Sequence, residues 1–135
     1  MDASSARKQL FDLSRKREAL SQTLMSFRKP MVAGTLVERP VTCGKEGCRC
    51  REGKPHGPFL YLVRQREGRR QWSYLGKASQ GALAEAVRRH HRFRRLVQEF
   101  RALSRQEEEC LQALEEALMA DASSLSKKIK TEVVK

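Results

Sequence analysis

PFLYLVRQREGRRQWSYLGK, residues 58–77, alternates in steps of two and breaks once, at Glu67-Gly68. That period predicts two strands joined by a hairpin. Folding the segment about the break sets Arg66 opposite Arg69, Arg64 opposite Gln71, and Val63 opposite Trp72. One face then gathers Phe59, Tyr61, Val63, Trp72 and Tyr74. The other gathers Arg64, Arg66, Arg69, Gln71 and Ser73, with Leu60, Leu62 and Leu75 toward the far end. The aromatic face is expected to be the core and the arginine face to meet a partner. Gly68 supplies a positive φ, but Glu67 is a poor first residue for a primed turn, so a G1-type bulge is expected there.

Working outward, MVAGTLVER, residues 31–39, is rich in β-branched residues and reads as a third strand. Its Gly34 marks a bulge or a close approach of backbones. Pro30 closes a helical pattern over residues 6–28, where Leu10, Leu13, Leu20, Leu24 and Phe27 recur in steps of three and four and Arg17 takes one place in the series. Ser4 or Ser5 is the expected cap. On the other side, Ser79 reads as the cap of a long helix to about Ala120. Leu83 and Val87 lead into a heptad series of Phe93, Leu96, Phe100, Leu103, Cys110, Leu114 and Ala117, interrupted once by Glu107. With Arg17 facing Glu107, the two helices fold back antiparallel, and the same register brings Leu10 to Leu114, Leu13 to Leu111, Leu24 to Phe100 and Phe27 to Val97. A homodimer with the same charge pairing is the alternative. The tail, DASSLSKKIKTEVVK, is polar and lysine-rich and is expected to fray or stay disordered.

The expectation is therefore an α+β fold in one compact domain. Residues 1–30 form an N-terminal amphipathic helix, 31–78 a cysteine-rich loop with a three-stranded antiparallel sheet, 79–120 a long helix packed with the first as a helical hairpin, and 121–135 a flexible basic tail.

With 39% hydrophobic and 33% charged residues, the chain can bury only a modest core. Small folds with thin cores often add a metal or an oligomer interface. The loop before the hairpin offers the means for a metal. CGKEGCRCREGKPHGP, residues 43–58, concentrates three cysteines, a histidine and four glycines. The opening MDASSARKQLFDLSRKREAL is polar, and nothing reads as a signal peptide or a membrane span. A cytoplasmic protein is expected, where thiols stay reduced, and this removes the disulfide reading of the loop.

Cys43, Cys48, Cys50 and His56 are spaced C-x4-C-x-C-x5-H, and Cys3His is a common structural zinc set. Lys45, Arg49, Arg51 and Lys54 offset the charge of the thiolates. His56 either completes the set or fixes the turn into the hairpin, leaving the fourth place to water or another group. Iron–sulfur is the lesser alternative for want of a fourth nearby cysteine; Cys110 reads as a small buried hydrophobe on the helix. Glu46 and Glu52 are the only acids in the loop, and no P-loop, dinucleotide turn or paired carboxylates occur elsewhere, so no enzyme is expected.

The combination of CGKEGCRC, HGPFLYL, a glycine hairpin, a strand ending YLGK and a long helix resembles a family of short uncharacterised prokaryotic proteins. These share a Cys-Gly-Lys-x-x-Cys-x-Cys core followed by His-Gly-Pro and an aromatic strand. The likeness covers roughly residues 30 to 115. It implies that Cys43, Cys48, Cys50 and His56 act as a unit and implies no activity. By architecture alone, three strands followed by a helix are similar to the arm-type DNA-binding domains of phage and transposon integrases, whose sheet lies in the major groove.

Twenty-eight basic against sixteen acidic residues give a net charge of +12, and so large a surplus attracts polyanions. The expected function is a zinc-stabilised nucleic-acid-binding protein, with duplex DNA favoured, serving a larger DNA- or RNA-processing machine. Its contact face is expected to be Arg64, Arg66, Arg69, Gln71 and Ser73, with Arg88, Arg89, Arg92, Arg94 and Arg95 reaching phosphates. The alternative is a non-enzymatic protein-interaction adaptor docking through its heptad helices.

Overall fold

A computed structural model describes residues 1–134, which divide into two compact units. One is Phe27–Leu96; the other joins Met1–Ser26 to Val97–Lys135.

The first unit is an open antiparallel sheet of β1 (Thr35–Val41), β2 (His56–Arg66) and β3 (Arg69–Tyr74), with β2 in the middle. The hairpin register is the one read from the sequence: Arg66 pairs with Arg69, Arg64 with Gln71, and Val63 with Trp72. The turn differs from expectation. Glu67 and Gly68 both take positive φ, 52° and 76°, which makes a tight two-residue primed turn instead of a bulge. Primed turns match the right-handed twist of the strands, and that match outweighs the roughly 1–2 kcal/mol a non-glycine residue loses in the left-handed region.

The larger correction concerns the core. Leu62, Leu75 and Val87 form its buried cluster, with Val32, Leu36, Leu60 and Leu83 packed against them. The leucine-bearing face is thus the covered one, and the first half of α2 (Lys77–Leu118) is what covers it. The aromatic face stays open, with Trp72 43% and Tyr74 58% exposed. The physical reason lies in the covering helix. Its stripe of Leu83 and Val87 is aliphatic and narrow and fits the row of leucines, and a single helix covers one face only.

β1 begins later than MVAGTLVER implied, because residues 30–34 direct their polar backbone groups to α2. Arg89 donates to the Pro30 carbonyl, Val32 N donates to Ala86 O at 3.2 Å, and His91 Nε2 donates to Gly34 O at 2.6 Å. Gly34 has φ 145°, and a Cβ there would lie 2.6 Å from Leu62 Cδ1. Of its two readings, close approach is the one realised. At the other end, Gly76 O accepts from Ser79 N and Gln80 N, so α2 begins at Lys77 and Ser79 falls inside its first turn instead of capping it.

In the second unit α1 (Ala3–Met25) is capped by Asp2, whose side chain accepts from Ser5 N at 2.7 Å, and not by a serine. It runs antiparallel to the later part of α2. Arg17 pairs with Glu107, Ser14 Oγ donates to Glu107 Oε2 at 3.4 Å, and Cys110 Sγ donates to Gln9 Oε1 at 3.5 Å. Ala6 and Cys110 are the buried residues here. Leu111, expected on the seam opposite Leu13, is instead 51% exposed. Residues expected to lack regular structure form α3 (Ala122–Val134), where Ser124 N donates to Asp121 Oδ2 at 3.2 Å; Asp121 supplies the cap that a composition-based reading overlooks. Lys135, the last residue of that expected tail, lies outside the described residues.

Candidate metal centre

β1 and β2 are joined by residues 42–55, and the four expected ligands sit where this connection closes on itself. Cys43 follows the end of β1. Cys48 leads into a single 3-10 turn, Arg49–Glu52, which buries Cys50, and His56 opens β2. The closure has local causes. Pro40 lies on an edge strand, where a missing N–H is tolerated. Between Arg39 and Val41 the ladder slips by one residue, so that two β1 steps oppose three of β2 across Gly57 and Pro58. A bulge of this kind bends and twists its strand, and here it lies beside His56.

The Sγ atoms of Cys43, Cys48 and Cys50 and a ring nitrogen of His56 all lie within 4.8 Å of one another. Cys43 Sγ is 3.4 Å from Cys50 Sγ, and Cys48 Sγ is 3.2 Å from His56 Nε2. Four donors at about 2.0–2.3 Å around a tetrahedral ion are separated by roughly 3.3–3.8 Å. The cluster therefore has the donor types and the size of a metal cage and can hold a metal ion. His56 opens β2 and lies beside the thiols, close enough to share an ion with them.

The electrostatics favour the thiolate at Cys43 and the neutral thiol at Cys50. A hydrogen bond from the Lys45 backbone, joined by His56 and the neighbouring thiols, pulls Cys43 down to about 6. Burial pushes Cys50 up, and Cys43 N donates to its sulfur at 3.3 Å. Arg51 Nη2 donates to Gly44 O at 3.2 Å and ties the first bend of the loop to the 3-10 turn. No such convergence surrounds Cys110, whose buried place on α2 is that of a small hydrophobe.

The arginines expected to touch nucleic acid fall into two groups. Arg66, Arg69 and Gln71 are exposed about the hairpin turn, and Arg88, Arg94 and Arg95 are exposed on α2. The others are occupied or covered. Arg64 is half-buried on the leucine side, with its Nε buried and unpartnered, and Ser73 is half-buried opposite Leu62. Arg89 is spent on Pro30, and Arg92 stacks on the Phe27 ring at 5.3 Å, which in turn meets Phe93 edge to face. Sequence reading passed over Arg39 and Arg70. The hairpin register alone would have found Arg70, because its partner Gln65 is in step with Val63 and Tyr61.

No helix among the described residues is long and apolar enough to cross a membrane. No curated protein and no solved structure matches the chain. A family model does match, over residues 10–86, and the chain belongs to that family, described as Domain of unknown function (DUF6788). The matched stretch runs from within α1 through the cysteine cluster and the sheet into the covering part of α2. It therefore starts earlier and stops earlier than the span of 30 to 115 expected from motif likeness.

Proposed function

We propose that this member of the DUF6788 family is a zinc-stabilised nucleic-acid-binding protein without enzymatic activity, an accessory to a larger DNA- or RNA-processing machine, with DNA as its ligand. One observation carries the reading. Residues 27–96 hold 17 basic and 5 acidic side chains, the entire surplus of +12, whereas the rest of the chain holds 11 of each. Among the described residues the ion pair of Arg17 with Glu107 lies in the balanced unit, and the exposed arginines of the sheet unit have no carboxylate partner. A localised field of this size, left unneutralised, favours polyanions.

Zinc fits the cage because it is borderline-soft, has no geometric preference of its own and takes Cys3His tetrahedrally. Cys43, Cys48, Cys50 and His56 would hold it. A closed four-ligand zinc supplies folding energy and no redox or hydrolytic chemistry. Its role would be to fix the β1–β2 connection at one end of the charged sheet.

The test is binding to labelled DNA across a range of salt concentrations. Log K should fall linearly with log salt, by about 0.9 for each phosphate neutralised on a duplex. The triple change of Arg88, Arg94 and Arg95 to Ala should lower affinity and flatten that slope. A salt-insensitive or absent interaction would discard the reading and leave the adaptor hypothesis standing.

A further inference from the structure

The open face of the sheet carries a row of four rings. Phe59 meets Tyr74 at 5.9 Å, Tyr74 meets Tyr61 at 5.8 Å, and Tyr61 meets Trp72 at 5.9 Å. Interplanar angles of 63–80° make each contact edge to face, so the rings brace one another. Arg39 extends the row from β1, its guanidinium 5.6 Å from the centre of the Trp72 ring. Strand alternation also puts Arg70 on this face and places Glu38, opposite Leu60, on the other. Large aromatics are seldom left exposed together on a surface with no partner.

A partner for this face must offer flat apolar rings and negative charge in alternation. A single nucleic-acid strand does so, because every base has a π-face and every linkage a phosphate. A duplex hides its base faces in the stack. We propose that the open sheet face binds a single strand of DNA, with bases stacked on Trp72 and Tyr74 and phosphates held by Arg39 and Arg70. This inference rests on the nucleic-acid reading above and differs from it in naming the form of the ligand and moving the contact from the leucine-bearing side to the aromatic side.

Trp72 is the sole tryptophan, so its emission reports on this face alone. The experiment titrates the zinc-loaded full chain with an oligothymidylate of about 12 nucleotides, a length within the usual site sizes. Emission should be quenched on binding. Tyr74→Ala should weaken affinity by about tenfold, whereas Tyr74→Phe, which keeps the ring, should bind as the unaltered chain does. A duplex of equal length should leave the emission unchanged. If DNA binds with a salt-dependent affinity while Trp72 emission stays fixed and Tyr74→Ala is silent, the proposal falls and the broader reading survives. If no nucleic acid binds, both fall. An oligouridylate bound more tightly than the DNA strand would overturn the choice of DNA. A self-associated species dissolved by Tyr74→Ala would show that a second copy of the chain covers the face, and would overturn the proposal.

Discussion

The two units use the same kinds of residue to opposite ends. In the helical unit, charge is balanced and one pair is engaged internally: Arg17 and Glu107 meet across α1 and α2, and Ser14 joins them. In the sheet unit, charge is unbalanced and faces outward; three leucine- and valine-sized side chains form the buried cluster, and beside the sheet lies a cysteine cluster that can hold a metal ion. The contrast separates two ways of holding a small fold. A thin apolar seam between helices is joined by a matched polar pair, whereas a thin sheet core lies beside a ligand cluster from which, on the proposed reading, a metal would support it.

The largest expected effect comes from removing metal. Replacing Cys48 by Ser, or chelating the ion, withdraws a binding energy that in small structural zinc sites amounts to about 10–16 kcal/mol at neutral pH. Amide dispersion from β1, β2 and β3 should collapse while much of the helical circular dichroism persists. Simultaneous loss of both signals would show that the two units are one cooperative body. An untouched sheet in metal-free protein would remove zinc from the account altogether.

Next in size is the choice of face. Leu62 is 3% exposed in the core, whereas Tyr74, on the other face of the same sheet, is 58% exposed. Leu62→Ala should cost about 2–5 kcal/mol in urea unfolding, and Tyr74→Ala should cost less, about 0.5–1.5 kcal/mol, for its ring contacts with Phe59 and Tyr61. The reverse order would restore the aromatic face as the core.

That reversal marks where the sequence was legible and where it was not. Alternation fixes which residues share a face, so the register of the hairpin and the membership of both faces were readable from residues 58–77. Alternation does not say which face the helix covers. Tyrosine and tryptophan bury well but also tolerate water, and the arginines beside Leu60, Leu62 and Leu75 masked an aliphatic row. The deciding signal lay elsewhere, in the aliphatic stripe of Leu83 and Val87 on α2. The cysteine cluster was legible because ligand chemistry restricts it to few residue types at short spacing. The primed turn was less so, because the strain at Glu67 is local whereas the twist it satisfies belongs to the whole hairpin.

A third change probes how the covered face is sealed. Gly34→Ala places a methyl 2.6 Å from Leu62 Cδ1 and 3.0 Å from Val63 O, at a φ of 145° that disfavours side chains. Overpacking of this kind costs roughly 1–3 kcal/mol. It should also loosen the segment that His91 holds through the Gly34 carbonyl, seen as faster exchange at the Val32 amide. A neutral Gly34→Ala would show that Leu62 can give way, and that the leucine face is packed less tightly than its burial suggests.

The smallest effect belongs to the helical unit and is the most diagnostic of its register. Arg17 is 37% exposed and Glu107 14%, so the pair is only partly shielded from water and its net worth is modest, roughly 0.5–1 kcal/mol. Each single reversal, Arg17→Glu or Glu107→Arg, sets like charges face to face on α1 and α2 and should destabilise the chain. The double reversal restores an ion pair of opposite sense at the same place. It should recover most of the loss, although the Ser14 hydroxyl then faces a cation and can no longer donate as it does to Glu107. The coupling energy of this cycle isolates the pair from the helix propensities of the individual substitutions. A cycle closing to zero would mean that Arg17 and Glu107 do not act on each other in solution, and the antiparallel register of α1 with α2 would then rest on the Ser14–Glu107 and Gln9–Cys110 contacts.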